Sequence, residues 1–101
     1  MPAMMKGVFM AMVPDADPEK NRSVVETGIL ALTTVLVKDI DQAVEVAKKL
    51  ADDGYSLIEL CGGFGHIGTG RVAEAVKDKA KIGVVRFDIH AALGKSGDEM
   101  M

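Results

Sequence analysis

The chain has 101 residues and a formal net charge of −3, from 12 basic and 15 acidic side chains. The length predicts one domain over residues 1–101, and an acidic balance without a basic stripe excludes nucleic acid as an expected partner. No apolar run approaches the roughly 18 residues that cross a bilayer, so we expect no membrane partner. A single cysteine and the lack of a signal-peptide pattern predict a cytoplasmic protein.

The amino-terminal part of the chain predicts a strand followed by a short helix. Residues 4–13 are a nearly continuous apolar run, which favours a strand buried on both faces. Asp17 and Pro18 are typical of the first positions of a helix, and Gly28 is typical of the residue after one. We therefore predict a helix over 18–27, with an extended loop as the alternative.

The middle of the chain predicts a second strand and the helix with the strongest local signals. Residues 29–37 are again apolar, which favours a buried strand. Asp39 and Gln42 have the spacing of a helix-capping pair, and Gly54 is suited to the residue that follows a helix. Apolar residues recur at helical spacing between them, so we predict a helix from Asp39 to Gly54.

The carboxyl-terminal half predicts two more strands around a glycine-rich turn. Residues 57–61 form the third strand and 82–87 the fourth, and a helix is predicted between them over 69–79. The segment 62–70 is the glycine-rich turn that leads into this helix. The polar segment 91–101 has no strong periodicity, and we expect it to be loosely held or docked on a partner.

Strands that alternate with helices predict an α/β fold with parallel strands. We expect an open, flavodoxin-like sheet of four parallel strands with helices on both faces. The alternative is half of an α/β barrel that a second chain completes. In either fold the functional edge is the rim at the carboxyl ends of the strands.

The glycine-rich turn predicts an anion site at this rim. Backbone N–H groups are free at the start of a helix and can hold a small anionic or phosphorylated metabolite. A guanidinium at the end of the neighbouring strand would add charge-assisted hydrogen bonds. The predicted ligand-binding residues are Gly62, Gly63, Gly65, His66, Gly68, Arg86 and His90.

Four residues at the rim are candidates for chemistry: Glu59, Cys61, His66 and Asp88. Glu59 and Arg86 are charged residues in strands that otherwise look buried, so each needs a partner. They are expected to form either a structural ion pair or part of the site. A helix amino terminus directed at Cys61 would favour its thiolate, although a small apolar residue at a strand end is the more ordinary interpretation.

Two sharper interpretations of the turn have less support. The segment 63–68 formally matches GxGxxG, and Asp88 follows at the distance of a ribose-binding acid, but only half of a dinucleotide fold fits in the chain. Glu59, Cys61, His66, Asp88 and His90 include zinc-ligand types, yet no HxH, CxxC or HExxH spacing is present. We therefore predict no metal site, and the pattern assigns no cofactor and no definite enzyme activity.

The segments IELCGGFGHIG and GVVRFDIH, together with the loop DADPEKNR, resemble a small prokaryotic family of stand-alone domains of uncharacterised function. The resemblance covers nearly the whole chain, and ELCGGFG is its most specific part. It implies a single-domain cytoplasmic protein without an assigned activity, and it transfers no catalytic role to any residue.

Two functional hypotheses follow from these patterns. The first is a domain that binds an anionic metabolite at the rim through residues 62–70 and Arg86. The second is a module without chemistry of its own, which forms a homo-oligomer or serves as an accessory partner of a larger enzyme. It is supported by the 49% of hydrophobic residues, a high content for so short a chain. The two are compatible if the site lies between subunits.

Overall fold

The computed structural model describes residues 4–100 as one five-stranded sheet with two α-helices and a short 3₁₀ helix. Residues 1–3 and 101 of the predicted domain and tail lie outside the described range. None of the described helices is long and apolar enough to cross a membrane. The elements are β1 (Met5–Met12), β2 (Arg22–Glu26), β3 (Leu30–Val37), α1 (Ile40–Asp52), β4 (Leu57–Leu60), α2 (Gly65–Val76), β5 (Lys81–Val84) and the 3₁₀ helix Gly97–Met100.

The sheet has the order β2-β3-β1-β4-β5, in which β2 is antiparallel and the other strands are parallel. The predicted α/β class with parallel strands is confirmed, but the sheet has five strands with an antiparallel β2 at its edge and not the four parallel strands of the prediction. The sheet is open, and β1 lies between β3 and β4. The alternative of half a barrel does not form, because barrel strands lie side by side in chain order.

Residues 22–26 form β2, so the helix predicted over 18–27 is wrong. The Asp17 carboxylate accepts from the Glu19 N–H, which makes a turn rather than a helix start. Gly28 lies in the hairpin turn between β2 and β3, where the Thr27 N–H donates to the Leu30 carbonyl. Two adjacent valines in β2 favour an extended chain, since β-branched side chains fit a strand better than a helix.

The helix predicted from Asp39 to Gly54 is present as α1. The Asp39 carboxylate accepts from the Gln42 N–H at 2.8 Å, and the Gln42 side chain accepts from the Lys38 N–H. Gly54 has a φ of +95°, a left-handed conformation that costs glycine little. Local signals therefore determine both ends of this helix.

Both helices pack on the same face of the sheet, which contradicts the prediction of helices on both faces. They contact each other and share a single core with the strands. The connection between β1 and β3 carries β2 instead of a helix, so nothing from this link crosses the opposite face. The strand side chains of the covered face include Val8, Met10, Val35, Val37, Ile58 and Leu60, all nearly or fully buried.

The opposite face, here called the bare face, has no helix of the described residues 4–100 against it. Its neighbouring residues follow from the strand register, which places Val25, Leu32, Gly7, Leu57 and Lys81 in one row across the sheet. Side chains in this row are accessible: Val25 is 68% exposed and Leu57 43%. The bare face consists of Met5, Gly7, Phe9, Ala11, Ser23, Val25, Leu30, Leu32, Thr34, Leu36, Leu57, Glu59, Lys81 and Gly83.

Candidate functional site

The helix α2 begins at Gly65, four residues before the predicted start at residue 69. The residue before it, Phe64, is fully buried and offers no side-chain hydrogen bond to the helix end. Instead, the Asp98 carboxylate accepts from the Ile67 N–H at 2.9 Å. The acceptor that satisfies the start of α2 therefore comes from the carboxyl-terminal 3₁₀ helix, 31 residues away along the chain.

Asp98 lies in a small charge cluster with Arg86 and His66. Its carboxylate is 4.0 Å from Arg86 Nη1, and Arg86 Nη1 also contacts His66 Nε2. The pKa of Asp98 is lowered, chiefly by the Ile67 N–H and also by the His66 N–H and the charges of His66 and Arg86, while burial acts in the opposite direction. The carboxylate of this chain thus occupies the position predicted for an external anion.

Two glycines let the carboxyl-terminal segment approach the turn. Gly65 has a φ of +64°, and a Cβ there would collide with Asp98. A Cβ on Gly62 would collide with the ring of Phe87. The glycine-rich sequence therefore has a packing reason, since only residues without a side chain admit Asp98 and Phe87 so close to the backbone.

Between the turn, the end of β5 and the carboxyl-terminal segment lies a cavity of about 110 Å³. Its lining includes His66, Arg86 and Phe87. This volume holds a few water molecules and is well below the roughly 300 Å³ at which small-molecule pockets begin. The cavity is therefore too small for a dinucleotide.

Glu59 does not belong to this cluster, so the predicted pair of Glu59 and Arg86 is wrong. Glu59 lies on the bare face, where the register places it between Phe9 of β1 and Gly83 of β5. Arg86 follows β5 and makes its ion pairs with Asp88 at 3.5 Å and with Asp98. Glu59 is therefore on the face without helices, whereas Arg86 lies beyond the end of β5 and contacts His66 of α2.

The remaining predicted residues are spread around the rim. Cys61 is partly buried and packs against the core, while Asp88 is 95% exposed. His90 lies beside Phe87, with ring centroids 4.9 Å apart, and its Nδ1 accepts from the Ala92 N–H. Gly63 stays in the turn, and Gly68 faces α1. Within residues 4–100, no three His, Cys, Asp or Glu side chains gather as metal ligands.

Two features of the molecule escape the sequence patterns. Asp98 carries no local signal for its role, because its partner Ile67 is distant in the chain. For the bare face, the sequence does show the apolar strands. It does not show which side of the sheet the helices cover, and this decides which side stays open. An apolar excess in a short chain was the signal that pointed to it.

Comparison with known proteins gives one match. The model of a family of unknown function, DUF6506, matches residues 5–98. A search of the curated proteins and a search of the solved structures each found no match.

Proposed function

Since the chain belongs to DUF6506, a family of unknown function, we propose its function from its own surface: an assembly module whose bare face binds the bare face of a second copy. The observation that carries this proposal is the exposure of large apolar side chains on one side of the sheet. Met5, Val25, Leu32 and Leu57 are 39% to 68% exposed there.

The sequences of the strands support burial on both sides. In β1 and β3 apolar residues do not alternate with polar ones, a pattern typical of strands that are covered on both faces. Sheets with one solvated face instead alternate apolar and polar residues. Residues 4–100 supply one helical layer, and a second copy would supply the layer on the other side.

The size of the bare face fits a small dimer. Five strands about 4.8 Å apart, with about six residues each at 3.3 Å, give a projected area of roughly 450 Å². Two such faces together bury about 900 Å² of projected area. The accessible area is larger than the projected area because side chains protrude from the sheet, and it comes towards the ~1,200 Å² of small specific interfaces. Stacked sheets then lie about 10 Å apart, as in a β-sandwich.

Sedimentation equilibrium between 1 and 200 µM tests the proposal. We expect a dimer mass that shifts to the monomer mass on dilution. Leu32→Glu places an unpaired carboxylate in the middle of the bare face and is expected to give a monomer with an unchanged far-UV circular dichroism spectrum. Lys48→Glu on exposed α1 is the matched control and should stay dimeric. A parent protein that remains monomeric at 200 µM contradicts the assembly function.

A second candidate function is the binding of a small anion at the start of α2. It is favoured by the contact of Arg86 with His66 and by the carboxylate of Asp98 beside them. An external anion has to replace this carboxylate, so we expect Asp98→Ala to bind inorganic phosphate more tightly than the parent. The double variant Asp98→Ala, Arg86→Ala should lose the gain. Equal phosphate affinities in calorimetric titrations of the parent and Asp98→Ala would overturn this candidate.

The cytoplasmic location expected from the sequence stays a prediction alongside both candidates.

A further inference from the structure

The bare face carries one acid and one base among its apolar and hydroxyl side chains. Glu59 of β4 lies beside Gly83 of β5, and Lys81 of β5 lies beside Leu57 of β4. Glu59 and Lys81 are therefore diagonal neighbours on adjacent strands and on the same face. Within residues 4–100, neither forms an ion pair.

Covering this face with a second layer removes both charges from water. A carboxylate or an ammonium group buried without a partner is strongly destabilising, so an interface that excludes water here requires a counter-charge for each. A two-fold interface places the same patch on both subunits, and each contact occurs twice. With one acid and one base per face, such an interface can neutralise every charge that it buries.

We propose that Glu59 pairs with the partner subunit's Lys81, and Lys81 with the partner subunit's Glu59, and that these two pairs set the register of the dimer. The inference rests on the proposed assembly function and names the residues that make it specific. Polar pairs inside an apolar interface select one relative placement of two surfaces, because other placements leave charges unpaired.

The surroundings of Glu59 leave space for an incoming side chain. A Cβ added at Gly83 would meet nothing within 4 Å, so the surface beside Glu59 is open on the β5 side. On the other side, the register places Phe9 of β1 next to Glu59. A long, flexible lysine from a facing sheet can reach such a position, with its methylene groups lying along the apolar surface.

Charge reversal and subunit mixing test the pairing. Glu59→Lys gives a bare face with two bases, and Lys81→Glu gives one with two acids. Each variant alone is expected to weaken the homodimer by at least about tenfold in Kd. An equimolar mixture should form a heterodimer with an affinity near that of the parent, because both cross-subunit pairs are restored. Native mass spectrometry after mixing, with sedimentation in about 0.15 M salt to screen long-range attraction, measures both quantities.

Glu45→Lys and Lys48→Glu are the matched controls, since both residues are exposed on α1. Each should remain as dimeric as the parent, and their mixture should give the statistical share of heterodimer. Preferential heterodimer formation by the bare-face variants alone supports the inference.

Three results overturn it. The first is a dimer whose affinity neither charge reversal changes. The second is recovery of the dimer in the double variant Glu59→Lys, Lys81→Glu but not in the mixture of the two single variants. Both results contradict pairing between subunits and leave the assembly function intact. A parent that is monomeric at 200 µM contradicts the assembly function itself.

Discussion

Leu57 and Ile58 are neighbours in β4 and show how differently the two faces of the sheet are exposed to solvent. Ile58 is fully buried against the helical layer, whereas Leu57 is 43% exposed on the bare face. Both are large aliphatic residues, so the difference comes from what covers them and not from their chemistry. The helices of the chain cover one face, and we propose that a second copy covers the bare face.

One face of the sheet stays uncovered because of a single connection between strands. The links from β3 to β4 and from β4 to β5 each contain a helix, and both helices pack on the same side. The link from β1 to β3 contains the hairpin strand β2, which extends the sheet sideways. A sheet built this way has two layers, although its apolar strands have the composition of a three-layer fold.

The largest expected effect is a difference in stability between variants of the covered face and of the bare face. Ile58→Ala removes a fully buried side chain and leaves a cavity, so we expect a loss of about 2–5 kcal/mol in the free energy of unfolding at any protein concentration. Leu57→Ala, its neighbour on the bare face, is expected to cost less, and its cost should grow with protein concentration because it acts through association. Urea unfolding at 2 and 200 µM measures both, and equal, concentration-independent losses would contradict the distinction.

The next effect concerns how α2 is held on the covered face. Gly65→Ala puts a side chain at a positive φ and against Asp98, and we expect it to cost about 1–2 kcal/mol. Gly70→Ala is the control in the same helix: a Cβ there meets nothing within 4 Å, and alanine favours the helix by up to about 1 kcal/mol. Thermal melts of both variants should shift in opposite directions. A destabilised Gly70→Ala together with a neutral Gly65→Ala would show that the turn is built differently.

The smallest effect is pH-dependent. Because the pKa of Asp98 is lowered in the folded chain, its charge stabilises the fold above the ordinary aspartate pKa, and this stabilisation is lost as the pH falls through the lowered value. Asp98→Asn should therefore melt a few degrees below the parent at pH 7, and the difference should shrink below about pH 4. Asp88→Asn, at a carboxylate that is 95% exposed, is the control with little effect. A gap that widens on acidification contradicts the capping role of Asp98.

Much of the fold is predictable where its signals are local. The start of α1 is determined by Asp39 and Gln42, three residues apart, and its end by the conformation of Gly54. The same kind of signal misleads at residues 17–28, because an aspartate before a proline suits a turn as well as a helix start. Residues 22–26 form a strand because they pair with β3, and a local sequence pattern does not reveal this tertiary pairing.

The cluster at the start of α2 was predictable only in part. The glycine-rich turn does lead into a helix, and Arg86 and His66 do lie together beside it. The helix begins earlier than predicted because its cap, Asp98, is supplied by a distant segment. Glu59 was assigned to the wrong partner because strand neighbours alone do not determine which face an irregular strand end presents.

Hydroxyl-radical footprinting at 2 and 200 µM shows which surface of the sheet a second copy covers. We expect oxidation of Met5, Leu32 and Leu57 on the bare face to fall as the protein concentration rises. Ile67 on α2 and Ile89 after β5 are not among the bare-face residues, are 56% and 71% exposed, and should keep the same reactivity. Unchanged oxidation of the bare face, or protection confined to Ile67 and Ile89, would contradict the proposal that a second copy covers the sheet.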